Sequence, residues 1–372
     1  MNALILTAGF GTRLKPVTDL FPKPVVPFLN IPLMYYSVGI LNDLPIDTLV
    51  FNTHYKPEQV ESAARTIPGF SGRIQISNEP DQPLGGGGAI KKAWSFLRPE
   101  NGEENFFVIN GDEVILPHDP MLLRHLMAFH EKENALATLL VMHHPLVGSQ
   151  FGGVWANQDH LVFGFGKSLD YMTPATSPSE TSDHHRSPIK PWHFVGLVLL
   201  NTRVSQYLPE GESNLLYDVL AKAGQNGERI QSYPADLTWY ETGNIKDYLQ
   251  ASKSAMDLLS SQSPPAIHLQ KLTNRFWSLG TKFISPQSER HLPRNSTNEE
   301  HSHGQLSGPA IIGSNCQIDT SAVFEGFAVI GDSCTIGANT KIQNSVLLPH
   351  SLVSPSSLIT NSFGRYGHTF GT

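Results

Sequence analysis

The chain has 372 residues, 40% of them apolar and 16% charged, a formal charge of −7 and only 2 cysteines. That length suits about two domains and is ample for a sizeable core, so neither a disulfide-stapled miniprotein nor a disordered chain fits. The acidic balance gives no basic field for nucleic acid or anionic lipid, and two late cysteines supply neither a disulfide framework nor a zinc spacing.

No stretch approaches the ~18 consecutive apolar residues of a spanning helix. The opening Met1-Asn2-Ala3-Leu4-Ile5-Leu6-Thr7 has no basic region and too short an apolar run for a signal peptide, so a cytoplasmic setting is expected. It reads instead as a buried first strand, ended by Ala8-Gly9. Further strands are expected over residues 48–52, 73–77, 105–110, 135–142 and 194–200. Helical patterns lie at 33–44, 57–66, 88–97 and 121–133. Alternating strand and helix predict an α/β domain over residues 1–258: a Rossmann-like, mixed but mostly parallel sheet flanked by helices. Ligands in such sheets sit beyond the carboxyl ends of the strands, which directs attention to the loops after Thr7 and Asn110.

Residues 171–191, rich in Ser, Thr and Pro, read as a long surface loop. Residues 259–308 read as a linker with one docked helix. Residues 309–372 form the third region, with a six-residue period that starts at Ile312. Its first positions are Ile312, Ile318, Phe324, Ile330, Ile336, Ile342 and Leu348, and only Ser354 breaks the rule. The fifth positions are small from Cys316 to Thr340 and then become Val346, Leu352 and Leu358. This pattern predicts a left-handed parallel β-helix in which Cys316 and Cys334 stack one coil apart as reduced, buried side chains. Exposed coil ends favour a homo-oligomer. The pairs His143-His144, His184-His185 and His301-x-His303 lack metal-binding partners and read as solvent-exposed.

The chemistry concentrates in Leu6-Thr7-Ala8-Gly9-Phe10-Gly11-Thr12-Arg13-Leu14-Lys15-Pro16, followed by Phe21-Pro22-Lys23-Pro24. A glycine-rich loop after a strand brings backbone N–H groups to phosphates, and Arg13 and Lys23 add fixed positive charge. It is neither a dinucleotide fingerprint, since Leu14 stands at the third glycine position, nor a Walker loop. The run closely resembles the signature of the sugar-1-phosphate nucleotidylyltransferases. The likeness continues through Phe51-Asn52-Thr53-His54, Leu84-Gly85-Gly86-Gly87-Gly88, Asn110-Gly111-Asp112 and Trp239-Tyr240-Glu241-Thr242-Gly243, over nearly all of residues 1–252. The repeats look like the tails of its mannose-1-phosphate guanylyltransferase and glucose-1-phosphate adenylyltransferase branches.

The resemblance implies transfer of a nucleotidyl group from an NTP, GTP or UTP, to a sugar 1-phosphate, with release of pyrophosphate and use of Mg²⁺. Ala8, Gly9, Gly11 and Thr12 would wrap the triphosphate, Arg13 would stabilise the departing pyrophosphate, and Lys23 would hold the α-phosphate. Asp112 and Glu241 would be metal ligands, Glu241 standing where the family has aspartate. Leu6, Gly88 and Glu79 would meet the base; a carboxylate suits the two donors of guanine. On the sugar side Gly152 and Gly196 match backbone positions, while the family's Glu-Lys-Pro strand is missing. Lys167 is the candidate for its lysine and Lys190 the rival. Two other readings follow from related proteins: a catalytically weak regulatory subunit, and acyl transfer by the repeats.

Overall fold

The computed structural model describes residues 1–98, 104–168, 188–285 and 304–367. The Ser/Thr/Pro-rich loop, the middle of the expected linker, and the His184-His185 and His301-x-His303 pairs lie largely or wholly outside them. Contacts between residues group into two compact units. One comprises residues 1–9 and 36–239, the other 10–35 and 240–372.

The first unit is built on a nine-stranded sheet. Its strands are β1 (Asn2–Leu6), β2 (Thr48–Thr53), β3 (Arg73–Asn78), β4 (Asn105–Asn110), β6 (Ala137–Met142), β7 (Gly153–Ala156), β8 (Val162–Gly166), β9 (Lys190–Asn201) and β10 (Ile230–Pro234). Between β4 and β6 comes a short strand, β5 (Val114–Pro117), outside this sheet. The order is β8-β7-β9-β4-β1-β2-β3, with β6 pairing β9 and β10. One half, β3-β2-β1-β4, is parallel, as the alternation with helices predicts. The other half turns on β9, which runs antiparallel to β4, β6 and β7. All six residues of β2 are buried, apolar Leu49-Val50-Phe51 and polar Thr48, Asn52 and Thr53 alike, as in a strand covered on both faces.

Helices α1 (Leu33–Gly39), α2 (Pro57–Arg65), α3 (Gly85–Lys92) and α4 (Leu122–Lys132) alternate with these strands. Helix α4 buries Leu122, Leu123, Leu126 and His130 at helical spacing. The helix expected at 33–44 is shorter than predicted, and the one expected at 88–97 starts earlier, with all four glycines inside its first turn.

The second unit takes its helices from α5 (Ile245–Leu259) and α6 (Pro264–Phe276). Asn244 caps α5 by accepting the Asp247 N–H at 3.0 Å, and Pro264 and Pro265 open α6. Buried Tyr248 of α5 stacks on Phe363 at 4.1 Å and meets Phe28 edge-on at 5.5 Å. Trp277 Nε1 donates to the Leu29 carbonyl at 2.8 Å, Asn30 Nδ2 donates to that of Ile330 at 2.7 Å, and Arg365 lies over the Phe21 ring. The segment 10–35 and the repeats therefore share one core.

The repeats pair in parallel ladders. Ala310, Val323 and Gln317 stand opposite Ala328, Lys341 and Thr335, each 18 residues on. The next partners, Ser345, Leu358 and Leu352, are only 17 residues further. One residue is skipped beside Asn344, where the opposing strand bulges between Glu325 and Ala328 and Gly326 takes φ +68°. The frame from Ile312 therefore slips by one. The later inward apolar positions are Leu347, Val353 and Ile359, all buried, and exposed Ser354 is no exception to the rule. The small positions continue as Ser345, Ser351 and Ser357, while Leu352 and Leu358 point outward. Cys316 and Cys334 are free thiols on adjacent rungs, each directed at a backbone carbonyl.

Candidate functional site

At the carboxyl end of β1 the backbone is fixed by a chain of buried polar groups. Thr7 N–H donates to Asn52 Oδ1 at 2.7 Å, and Asn52 Nδ2 donates to Glu79 Oε1 at 2.9 Å. The Leu84 N–H donates to Glu79 Oε2 at 2.8 Å, which ties the ends of β1, β2 and β3 to the start of α3. Half-buried Leu6 accepts the Gly111 N–H at 2.8 Å, so the Asn110-Gly111-Asp112 turn sits directly on β1. A Cβ on Gly111 would lie 2.5 Å from the Thr7 methyl, which explains the glycine. Ala8 is buried, whereas Gly9 is exposed and a Cβ there would meet nothing within 4 Å.

Two expectations about the base change here. Glu79 is only 1% exposed, and both its oxygens already accept protein N–H groups. It is a strut holding the strand ends, and its carboxylate does not face outward for guanine. Gly88 is also buried: a Cβ there would stand 2.3 Å from the Gly211 carbonyl oxygen. Gly85, at φ +67°, and Gly87 crowd Ser213 in the same way. The close approach that these glycines permit is to the backbone of Gly211 and Ser213 and, for Gly87, to the Ser213 and Val219 side chains.

In the second unit Gly11 adopts φ +63°, a left-handed conformation that favours glycine. A Cβ on it would lie 2.8 Å from Lys23 Cβ and 3.0 Å from Thr18 Cγ2. The Gly11 carbonyl accepts Leu14 N–H at 3.0 Å and Thr18 Oγ1 at 3.1 Å, which folds the loop back on itself. Thr12 and Arg13 are exposed and Lys23 is buried. Glu241 Oε1 accepts the Gly243 N–H at 2.6 Å, closing a tight turn. The Arg13 guanidinium carbon lies 3.3 Å from where a Gly243 Cβ would be. The missing side chain at 243 thus gives Arg13 its place beside an acidic turn. Among the described residues no group of three His, Cys, Asp or Glu side chains could by itself hold a metal.

In the other half of the sheet Gly152 directly precedes β7, Lys167 directly follows β8, and Gly196 lies within β9. Gly153 pairs with Gly166, so exposed Lys167, the next residue, lies at the same end of β7 as Gly152. Lys190 pairs with Ala156, at the opposite end of that strand. Three residues of strand separate these rungs, about 10 Å, so of the two lysines Lys167 is the one beside Gly152. Gly196 has φ +80° inside a bulge of β9. A Cβ there would press on Asn110 Nδ2 at 2.7 Å and on Glu113 Cγ at 2.8 Å. Glu113 in turn accepts Asn110 Nδ2 at 3.2 Å and Trp239 Nε1 at 2.7 Å.

The sequence reading missed a ring cluster next to this network. His193 lies 4.6 Å from Trp239, 4.9 Å from Phe151 and 5.3 Å from His144, centroid to centroid. It is 7% exposed, and neither ring nitrogen has a hydrogen-bond partner. Burial first, then the adjacent His144, pushes His193 down to about 4, so it is neutral at physiological pH. His143 is exposed as expected, but His144 is half-buried among the rings. A polar residue in the apolar run 190–201 is the signal that could have exposed His193, and starting the strand at Phe194 hid it.

Comparison with known proteins places these geometries in a family. The Nucleotidyl transferase family model matches residues 2–257, and a bacterial transferase hexapeptide model of six repeats matches residues 309–344. A UTP–glucose-1-phosphate uridylyltransferase of Synechocystis is 26% identical, over 98% of this chain and 88% of its own length. A mannose-1-phosphate guanyltransferase of Debaryomyces hansenii is 25% identical, over 95% of this chain and 97% of its own. Among solved structures, the inositol-1-phosphate CTP transferase of T. maritima shares the fold with a TM-score of 0.54 at 18% identity, covering 74% of this chain and 98% of that one. No helix among the described residues is long and apolar enough to cross a membrane. The chain belongs to the nucleotidyl transferase family.

Proposed function

We propose that the protein joins a nucleoside triphosphate to a sugar 1-phosphate, giving a nucleotide sugar and pyrophosphate, with GTP and mannose 1-phosphate as its pair. The observation that carries the reaction is the looped-back segment 11–23, where left-handed Gly11 rests on the Lys23 stem and Arg13 stands exposed. A sugar 1-phosphate is an anion near neutral pH, its second pKa lying near ~6, so no general base is needed. The reaction needs alignment for in-line attack and stabilisation of negative charge as the pyrophosphate departs. Ala8, Gly9, Gly11 and Thr12 present backbone to the triphosphate. Lys23 holds the α-phosphate, and Arg13 takes the charge that builds on the leaving pyrophosphate. Gly152, Lys167 and Gly196 line the sugar side, Lys167 being favoured over Lys190 by its place beside Gly152.

The donor chemistry suits Mg²⁺, which is bound through one or two carboxylates while phosphates and water complete its octahedron. Asp112 and Glu241 would be those carboxylates, and the bond from Gly243 orients the longer glutamate side chain. When bound, the ion neutralises phosphate charge during transfer.

For the base and sugar, support comes from fungal mannose-1-phosphate guanyltransferases that match this chain along 97% of their own length. The Synechocystis uridylyltransferase supports UTP and glucose 1-phosphate as the second reading. Pyrophosphate release, measured with each of four nucleoside triphosphates against mannose and glucose 1-phosphates and Mg²⁺, separates the two. Turnover with no pair despite nucleotide binding would instead make the chain a regulatory binding protein.

In this reading residues 1–258 carry the catalytic fold, 259–308 connect, and 309–372 form a left-handed parallel β-helix that assembles copies of the chain. The outward Leu352 and Leu358 supply apolar contacts for that assembly. Mass in solution of the full chain and of Leu352→Glu/Leu358→Glu tests it. A monomeric parent chain rules assembly out.

A further inference from the structure

We propose that His193 contacts the sugar ring of the acceptor and sets which sugar 1-phosphate is used, within a box completed by His144, Phe151 and Trp239. The inference rests on the acceptor being a sugar 1-phosphate. Burying an imidazole with both nitrogens unpaired costs stability, and folded proteins rarely retain such a group without a use for it. His193 is that case: 93% of its surface is covered, and the covering side chains are rings that give its nitrogens no partner.

The chemistry of the box matches a pyranose. Aromatic rings suit the C–H faces of a sugar, and a neutral imidazole offers one donor and one acceptor to its hydroxyls. Placement favours the sugar over the base. His193 lies on β9, which pairs with β7 close to Gly152, and β4 stands between β9 and β1. Trp239 is held by Glu113, whose carboxylate also binds Asn110 beside Asp112. The box is therefore fixed to the turn that bears a proposed metal ligand.

The cover of the box is separable from the sheet. His144 and Phe151 flank a turn whose backbone bonds are largely its own. Val147 N–H donates to His144 O, Phe151 N–H to Leu146 O, and Gly148 N–H to Phe151 O. Leu146 N–H donates to His144 Nδ1 at 3.2 Å. The turn can shift as a body and open the ring nitrogens to a hydroxyl without breaking these bonds.

The test is His193→Phe, which keeps the ring and removes the nitrogens, alongside His193→Asn, which keeps a donor and an acceptor. The full-length proteins are assayed for pyrophosphate release, with the KM of each substrate measured separately. Expected for His193→Phe is a rise of about tenfold or more in KM for the sugar 1-phosphate. The KM for the nucleoside triphosphate stays within about twofold, Tm is equal or higher, and His193→Asn recovers part of the loss. In the parent protein, added sugar 1-phosphate should move the His193 ring resonance and raise Tm. An unchanged sugar KM in His193→Phe, or a change confined to the triphosphate KM, overturns the inference while the proposed reaction stands. A parent protein that neither turns over nor is stabilised by any sugar 1-phosphate overturns both.

Discussion

Among the described residues of the first unit two histidines are buried, and their surroundings differ in kind. His130, on α4 and 1% exposed, has both ring nitrogens bonded: Nδ1 to Thr138 Oγ1 at 2.8 Å and Nε2 to Asn105 Oδ1 at 3.3 Å. His193, at the start of β9, has neither. Burial dominates in both and pushes each down to about 4, with Arg203 adding to it for His130 and His144 for His193. His130 thus has its polar contacts completed by the protein, whereas His193 has both nitrogens left open beside a bulged strand. A buried polar group without a partner calls for an explanation, and at His193 the proposed sugar contact supplies one.

The largest effect should come from breaking the finished network. His130→Phe strands the Thr138 hydroxyl, which is fully buried, while Asn105 keeps its bond from Asn201 at 3.0 Å. Urea unfolding should show a loss of about 2–4 kcal/mol with kcat/KM retained at 25 °C. A neutral result would erase the contrast between the two histidines. Next comes Gly88→Ala. Its new Cβ meets the Gly211 carbonyl, a backbone group that no rotamer change can move aside, and should cost about 1–3 kcal/mol. The triphosphate KM should follow only through stability. A raised KM at unchanged Tm would return Gly88 to the base.

These cases show what can be read from sequence. The parallel half of the sheet was legible because strands with short apolar runs alternate with amphipathic helices. The segment from Gly9 to Lys23 was legible as a family signature, and the match of the Nucleotidyl transferase model over residues 2–257 agrees with it. Glu79 was misread because a carboxylate near a glycine run has the same sequence signature whether it faces a base or two backbone-ordering donors. The repeat period was legible, but a skipped residue near Asn344 is invisible to a fixed count of six. The clue was three consecutive fifth positions that became large together, Val346, Leu352 and Leu358. Nor could local pattern show that residues 10–35 share a core with the repeats, since Asn30 and Ile330 are 300 positions apart.

Glu79→Gln sharpens the same contrast on a smaller scale. Glutamine keeps one carbonyl oxygen for the donors of Asn52 and Leu84 but turns an NH₂ toward the other. The expected loss is about 1–2 kcal/mol by thermal or urea unfolding, with the order of preference among nucleoside triphosphates unchanged. A switch in that preference at constant stability would show that the carboxylate reads the base after all.

The smallest expected effect is in pH dependence, and it compares the two histidines directly. Both have folded values near 4 against about 6.5 unfolded, so between these limits the unfolded chain binds more protons. Stability is then retained above pH ~6.5 and lost as pH falls through that window. His160, also lowered by burial, adds to the loss, while Asp47 and Asp119, held low by their hydrogen bonds, matter only in more acidic solution. His193→Phe removes one contributor and leaves the others. Between pH 7 and 5.5 it should lose about 1 kcal/mol less stability than the parent chain. Equal losses would mean that His193 takes up its proton without unfolding, through a cover that already opens in the native state; the box would then be a solvated cleft and its histidine no longer an unfinished core group.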